Sequence, residues 1–146
     1  MTAVTVTSFL TAPEGGWTAD DLDAFPDDGL RYELVAPFDV RFSPRRQLQP
    51  DLVVLPKDRS LPDRRPFLVV EILSPSTRAT DRTLKHHVFE QGGVPSFWLV
   101  DPLTPSVTVL ELRDGAYAET AVVTGDESYD TERPYPVRLV PSELVR

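Results

Sequence analysis

Residues 67–73 form the most apolar run of the chain, and a single acid, Glu71, interrupts it. A short run of this kind, rich in Val, Ile and Leu, indicates a strand that is buried on both faces of a sheet. A carboxylate in such a strand is costly unless it is paired or bound to a metal. Glu71 is therefore the first candidate for a functional residue. The alternative is a strand-end acid whose side chain reaches solvent or an arginine.

The remaining pattern predicts an α/β (α+β) domain with a mixed β-sheet flanked by helices. Asp114-Gly115 between two apolar runs predicts a C-terminal hairpin. A helix is expected at about residues 81–91, capped by Thr80 and ended by Gly92-Gly93, with another short helix near residues 19–25. Further strands are predicted at residues 30–35, 38–42, 50–56, 96–100 and 137–140.

A length of 146 residues suits one domain with one hydrophobic core. We expect residues 1–16 to be a loose leader and residues 17–146 to form the domain. The first residues lack a basic n-region, and no stretch of the chain has the apolar length of a membrane span. A cytoplasmic protein without membrane association is therefore expected.

The chain has no cysteine, which excludes disulfides, thiolate zinc sites and thiol catalysis. Its two histidines, His86 and His87, are predicted to lie on the helix surface. Any metal would have to bind to carboxylates, and this donor set suits a hard cation such as Mg²⁺ or Mn²⁺.

Asp51 and Lys85 are the partners that we predict for Glu71. Asp51 begins the preceding apolar run, and on neighbouring strands the two carboxylates would come within about 5 Å. Their mutual repulsion would then require a cation. Lys85, on the following helix, could orient a water or stabilise charge on a scissile phosphate. The alternatives are that Asp51 is a turn acid and that Asp81 and Lys85 form only a surface ion pair.

Several segments resemble the Uma-two family, a domain of unknown function with restriction-endonuclease-like members. The resemblance covers residues 17–140, and its most specific part is Glu71-Ile72-Leu73-Ser74-Pro75-Ser76-Thr77. The other matching segments are Arg31-Tyr32-Glu33-Leu34, Pro50-Asp51-Leu52, the spacing from Asp81 to Lys85, and Gly93-Val94-Pro95-Ser96-Phe97-Trp98-Leu99-Val100-Asp101.

The resemblance implies a PD-(D/E)XK nuclease core in which Asp51, Glu71 and Lys85 are catalytic. Asp51 and Glu71 would bind the metal together with the backbone carbonyl of Ile72. The standard lysine position of the superfamily holds Leu73 here, and the family is thought to use a lysine of the next helix, which fits Lys85. The implied reaction is Mg²⁺-dependent hydrolysis of a phosphodiester bond in DNA. Possible accessory acids are Glu33 and Asp81.

The chain departs from the family after Val35, where two residues, Ala36-Pro37, stand in place of a strand turn and a helix before Phe38. The helix normally covers the sheet. Its loss would expose apolar surface, which makes a homodimer plausible. An apparent internal deletion of this kind also bears on whether the chain is an active enzyme.

The net charge of −8 argues against general DNA coating, because neutralisation of phosphates drives that binding. It favours an alternative, a non-catalytic nuclease-fold protein that acts as a structural or protein-interaction module. A small-molecule hydrolase with the same metal site is a third possibility. Basic residues near the Asp51 strand could still line a phosphate path or be only solvated loop charges: Arg41, Arg45, Arg46, Lys57, Arg59, Arg64 and Arg65.

Overall fold

A computed structural model describes residues 4–5, 32–35, 40–43, 46–56, 65–76, 79 and 81–144 of the chain. The predicted helix near residues 19–25, the Thr80 cap and the connection at residues 36–39 lie outside these ranges. The homodimer that we inferred from this connection therefore stays a prediction. No helix in the described ranges is both long and apolar enough to cross a membrane.

The centre of the fold is a mixed sheet with the strand order β2 (Tyr32–Val35), β5 (Leu52–Pro56), β6 (Leu68–Ile72), β7 (Ser96–Asp101), β8 (Ser106–Arg113) and β9 (Ala116–Thr124). Its strands β5, β6 and β7 carry the apolar runs that predicted them. Only the pairing of β6 with β7 is parallel, and all other pairings in this sheet are antiparallel.

Two smaller sheets accompany the central one. Strands β3 (Val40–Ser43) and β4 (Arg46–Leu48) pair as an antiparallel hairpin. Strand β11 (Val137–Leu139) pairs with β10 (Tyr129–Thr131) and, in parallel, with β1 (Val4–Thr5). The sequence pattern did not predict β4 and β10, which are three residues long and carry little periodicity.

Alternation along the central strands creates one apolar cluster on each face of the sheet. On one face, Val53, Val69 and Phe97 pack with Phe89 of helix α1 (His86–Gln91). The opposite face packs against β11 and the short helix α2 (Pro141–Leu144); its residues include Leu52, Val54, Leu68, Val70, Trp98, Val137, Leu139 and Leu144. Because Glu71 alternates with Val70, it belongs to the face that α1 covers.

The helix predicted for residues 81–91 forms, but its first turn differs from an α-helix. Asp81–Lys85 is wound as a π-helix, which leads directly into α1. Val88 and Phe89 of α1 are buried, whereas Leu84 in the wider turn is 56% exposed. The helix ends as predicted at Gly92 and Gly93. Gly93 has a φ of 74°, a value that suits glycine.

The predicted hairpin joins β8 and β9 through Asp114 and Gly115. Both residues have positive φ, 52° and 82°, as a two-residue turn of the primed type requires. This hairpin extends the sheet and makes β9 its edge strand.

Candidate metal centre

The candidate site lies where β5 begins and β6 ends. These strands are antiparallel neighbours, as the sequence analysis expected, with Leu52 opposite Val70. One step further along the same register, Asp51 stands opposite Glu71. Directly opposed residues direct their side chains to the same face of a sheet, and here that face is the one covered by α1. The two acids therefore converge at the end of the ladder, in front of the helix that carries Lys85.

Asp51 is oriented by the backbone of β6. Its Oδ2 accepts a hydrogen bond from the backbone N–H of Ile72 at 2.7 Å. The carboxylate thus lies in the gap between the strand ends, beside the peptide groups of Ile72. This bond fixes the direction of an otherwise exposed side chain.

Lys85 is the last residue of the π-helical turn, and its side chain contacts Glu71. Its Nζ donates a hydrogen bond to Glu71 Oε2 at 2.9 Å. The side chain of Lys85 is 19% exposed, whereas that of Glu71 is 1% exposed. The pair is therefore a largely buried, charge-assisted contact rather than a surface ion pair.

The second oxygen of Glu71 gives the site its unusual electrostatics. Oε1 is buried and has no hydrogen-bond partner among the described residues. Burial raises the pKa of Glu71 to about 8; Lys85 opposes this rise, and the charge of Asp51 adds to it. One ammonium therefore does not fully compensate the two acids.

The residues present fit a hard divalent cation. The donors at hand are carboxylate oxygens of Asp51 and Glu71 and the neighbouring carbonyl of Ile72, and the orphaned Oε1 is an acceptor that a cation would satisfy. Within the described ranges, no three residues of the types His, Cys, Asp and Glu come together as a metal-binding group. Mg²⁺ keeps several water ligands and is often bound by substrate phosphates as well. A site with two carboxylates therefore suits it better than a cage made only of protein ligands would.

The two accessory acids of the sequence analysis are placed only by their backbones. Glu33 lies on β2 opposite Leu55, four positions along β5 from Asp51, which corresponds to about 13 Å along the strand. Asp81 begins the π-helical turn. The side chains of both residues lie outside the described part of the structure, so their roles stay predictions.

The histidines and the basic residues have separate positions. His87 is exposed as predicted, and His86 is half-buried, with its ring centroid 5.2 Å from that of Tyr117. Arg41 and Arg65 are exposed. The side chains of the other five basic residues singled out in the sequence lie outside the described part.

Asp101 is the last residue of β7 and caps the turn that follows it. Its Oδ1 accepts hydrogen bonds from the N–H groups of Leu103 and Thr104 at 3.0 and 3.3 Å. The hydrogen bond from the Ile72 N–H to Asp51 was not among the sequence-based predictions. Pro50 was the available signal, because proline cannot donate to a ladder and often marks its end.

Comparison with known proteins identifies the family. The family model Uma2, described as "Putative restriction endonuclease", matches residues 6–140. A crystal structure described as "a putative nuclease belonging to DUF820 from Anabaena variabilis ATCC 29413" is similar with a TM-score of 0.64 and 18% sequence identity; the match covers 84% of this chain and 73% of that chain. No curated protein matched the sequence.

The structural likeness shows the fold, which is that of restriction-endonuclease-like proteins. The family match supports a nuclease-like function at a coarse level. The chain belongs to the Uma2 family.

Proposed function

We propose that this protein is a Mg²⁺-dependent nuclease that hydrolyses phosphodiester bonds in DNA. The observation that best supports this proposal is the buried carboxylate of Glu71 beside Asp51; Oε1 of Glu71 has no hydrogen-bond partner among the described residues. Such an arrangement is costly in a protein that never binds a cation. Membership of a family whose model is described as "Putative restriction endonuclease" supports this reaction class.

Asp51, Glu71 and the Ile72 carbonyl would hold the cation. When bound, Mg²⁺ would supply a Lewis acid and lower the pKa of a water molecule. The chain's own contribution is orientation: the Ile72 N–H fixes Asp51, and the Lys85 ammonium holds Glu71. The same ammonium, partly exposed, is placed to donate to a phosphate oxygen or to an attacking water.

DNA is proposed as the substrate because an exposed cation accompanies the acidic site. Arg82 lies exposed in the π-helical turn that carries Lys85. This cation would contact a phosphate locally despite the net charge of −8. Binding that depends on such contacts is expected to weaken as the salt concentration rises.

A non-catalytic nuclease-fold protein is the second candidate, and the ion pair itself favours it. Lys85 already satisfies one oxygen of Glu71 without a metal, at 2.9 Å. In that role the site would only hold α1 on the sheet, and the protein would bind partners through other surfaces.

Thermal melts with and without millimolar Mn²⁺ separate the two candidates. A cation that binds only the folded state stabilises it by about 2.7 kcal/mol at a hundredfold excess over Kd. We expect the wild type to shift upward. Asp51→Asn retains an oxygen that can accept from Ile72 but loses the charge, so its shift should be abolished without general unfolding.

Glu132→Ala is the matched control, because it removes an exposed acid away from β5 and β6. Its Mn²⁺ shift should equal that of the wild type. Cleavage of plasmid DNA by the wild type in Mg²⁺, lost in Asp51→Asn, would then establish the reaction. A wild type whose melting temperature ignores Mn²⁺ and Mg²⁺ would favour the non-catalytic candidate.

A further inference from the structure

We propose that Pro50 is a positioning residue for the metal site: it ends the β5–β6 ladder so that the peptide groups of Ile72 serve the site rather than a strand partner. The inference rests on the proposed function and adds a residue to it. It follows from the register of the two strands and from the chemistry of proline.

The register sets Pro50 opposite Ile72. Leu52 pairs with Val70, so continuation of the antiparallel ladder by two residues on each strand would pair 50 with 72. In a hydrogen-bonded antiparallel pair, the two residues exchange both N–H···O bonds. Here the Ile72 N–H donates instead to Asp51 Oδ2 at 2.7 Å. The carboxylate thus takes the place that the carbonyl of residue 50 would have.

The carbonyl of Ile72 faces the same gap. In a strand, the N–H and C=O of one residue point toward the same neighbouring strand. The next residue supports this alternation, because the Leu73 N–H donates to the Val100 carbonyl of β7 at 2.7 Å, on the opposite side. The Ile72 carbonyl therefore points toward β5, where Asp51 lies.

Proline keeps that carbonyl available. Pro50 has no N–H and cannot donate to the Ile72 carbonyl, and its fixed φ disfavours a further ladder pair. Any other residue at position 50 would bring a donor to the strand end. The ladder could then add one pair, which would occupy the Ile72 carbonyl and displace the Asp51 carboxylate from the Ile72 N–H.

Titration calorimetry with Mn²⁺ on the full chain tests this role. We expect Pro50→Ala to bind Mn²⁺ about 10–100-fold more weakly than the wild type, as is usual when the groups that orient metal ligands are lost. Pro56→Ala is the matched control, because Pro56 ends the same strand at its other end, opposite Tyr32. Its affinity should equal that of the wild type.

Amide hydrogen exchange of metal-free Pro50→Ala provides a readout other than binding. The new N–H of residue 50 should be protected by the Ile72 carbonyl. A Pro50→Ala variant with wild-type Mn²⁺ affinity would overturn the proposal. A wild type that binds no Mn²⁺ would instead overturn the proposed function from which the inference starts.

The wild type alone offers a second measurement in case Pro50→Ala does not fold. The ¹³C resonance of the Ile72 carbonyl should shift on addition of Mg²⁺, because that oxygen becomes a ligand. The Leu73 carbonyl, one residue further, is the internal control. Binding of Mg²⁺ that leaves the Ile72 resonance unchanged would contradict the proposed role of Pro50.

Discussion

The ammonium of Lys85 lies 2.9 Å from Oε2 of Glu71, and the two residues are 14 positions apart in the sequence. The contact joins the π-helical turn to the middle of the sheet. It places one positive charge beside two acids, Glu71 and Asp51, of which the first is 1% exposed. Lys85 offsets the burial of Glu71 only in part, and this should be measurable as a dependence of stability on pH.

In metal-free buffer, the free energy of unfolding should fall as the pH rises from about 5 to about 8. Burial raises the pKa of Glu71 from 4.5 to about 8, so the folded state retains a proton that the unfolded chain has lost. A raised carboxyl pKa contributes its stability at low pH, and that contribution is lost as the pH approaches the folded pKa. Urea unfolding in EDTA at several pH values measures the effect.

Glu71→Gln is the control for this pH dependence. It retains a neutral group of the same shape, so the variant should gain stability relative to the wild type across that window, by a few kcal/mol at its upper end. Other titrating groups are common to both proteins and cancel in the difference. Parallel pH profiles of the two proteins would contradict the raised pKa.

Lys85→Met should separate metal binding from catalysis. The variant removes a cation that competes with the metal for Glu71, so Mn²⁺ affinity should be unchanged or tighter. Turnover of DNA should fall by about 10²–10³-fold, because a donor to the developing phosphate charge is lost. Lys85→Arg retains the charge and should recover part of the rate. Full activity in Lys85→Met would show that Lys85 only pairs with Glu71 and takes no part in catalysis.

The central strands and the site were predictable because their signals are local or follow from neighbouring strands. The apolar runs at β5, β6 and β7 identified the sheet, and Asp114-Gly115 identified the hairpin. Glu71 was recognisable as a carboxylate among apolar residues. Asp51 followed because two successive strands often pair, as β5 and β6 do.

Two features of the helix that follows β6 could not be read from the sequence pattern. The π-helical winding of Asp81–Lys85 shifted the buried face of the helix, because an i→i+5 turn breaks the 3.6-residue period that the pattern assumes. His86 became half-buried against Tyr117, which lies 31 positions later in the chain. Neither the π-helical winding nor the contact between His86 and Tyr117 leaves a periodic signal in the local sequence.

Gly92→Ala should destabilise the protein through a steric contact with Phe42. Gly92 has a helical φ of −72°, so its backbone would accept alanine. A Cβ at this position would collide with the ring of Phe42, which packs edge-on against Phe89 with centroids 5.9 Å apart. Overpacking of this kind costs about 1–3 kcal/mol.

A double-mutant cycle with Phe42→Leu isolates this contact. The smaller side chain should relieve the collision, so the double variant should be more stable than the two single losses predict. Chemical denaturation of the four proteins gives the coupling energy. Additive losses would show that Gly92 is required for another reason.

The edge strand β9 is predicted to depend on two glutamates for protection against self-association. Glu90 Oε2 accepts from the Tyr117 N–H at 2.7 Å, and Glu127 Oε2 accepts from the Thr124 N–H at 2.9 Å. These donors would otherwise be exposed on a strand of nine residues, which is a template for pairing with another chain. Glu90→Ala combined with Glu127→Ala should therefore associate at concentrations where the wild type keeps its own oligomeric state.

Light scattering coupled to size-exclusion chromatography measures this association. Glu132→Ala combined with Glu143→Ala changes the net charge equally, yet leaves β9 and both capping carboxylates in place, so it should elute like the wild type. Equal association of the two double variants would attribute the effect to net charge. Association of the variant that lacks Glu90 and Glu127 alone would show that these two carboxylates protect the edge, because only in that variant do the N–H groups of Tyr117 and Thr124 lose their acceptors.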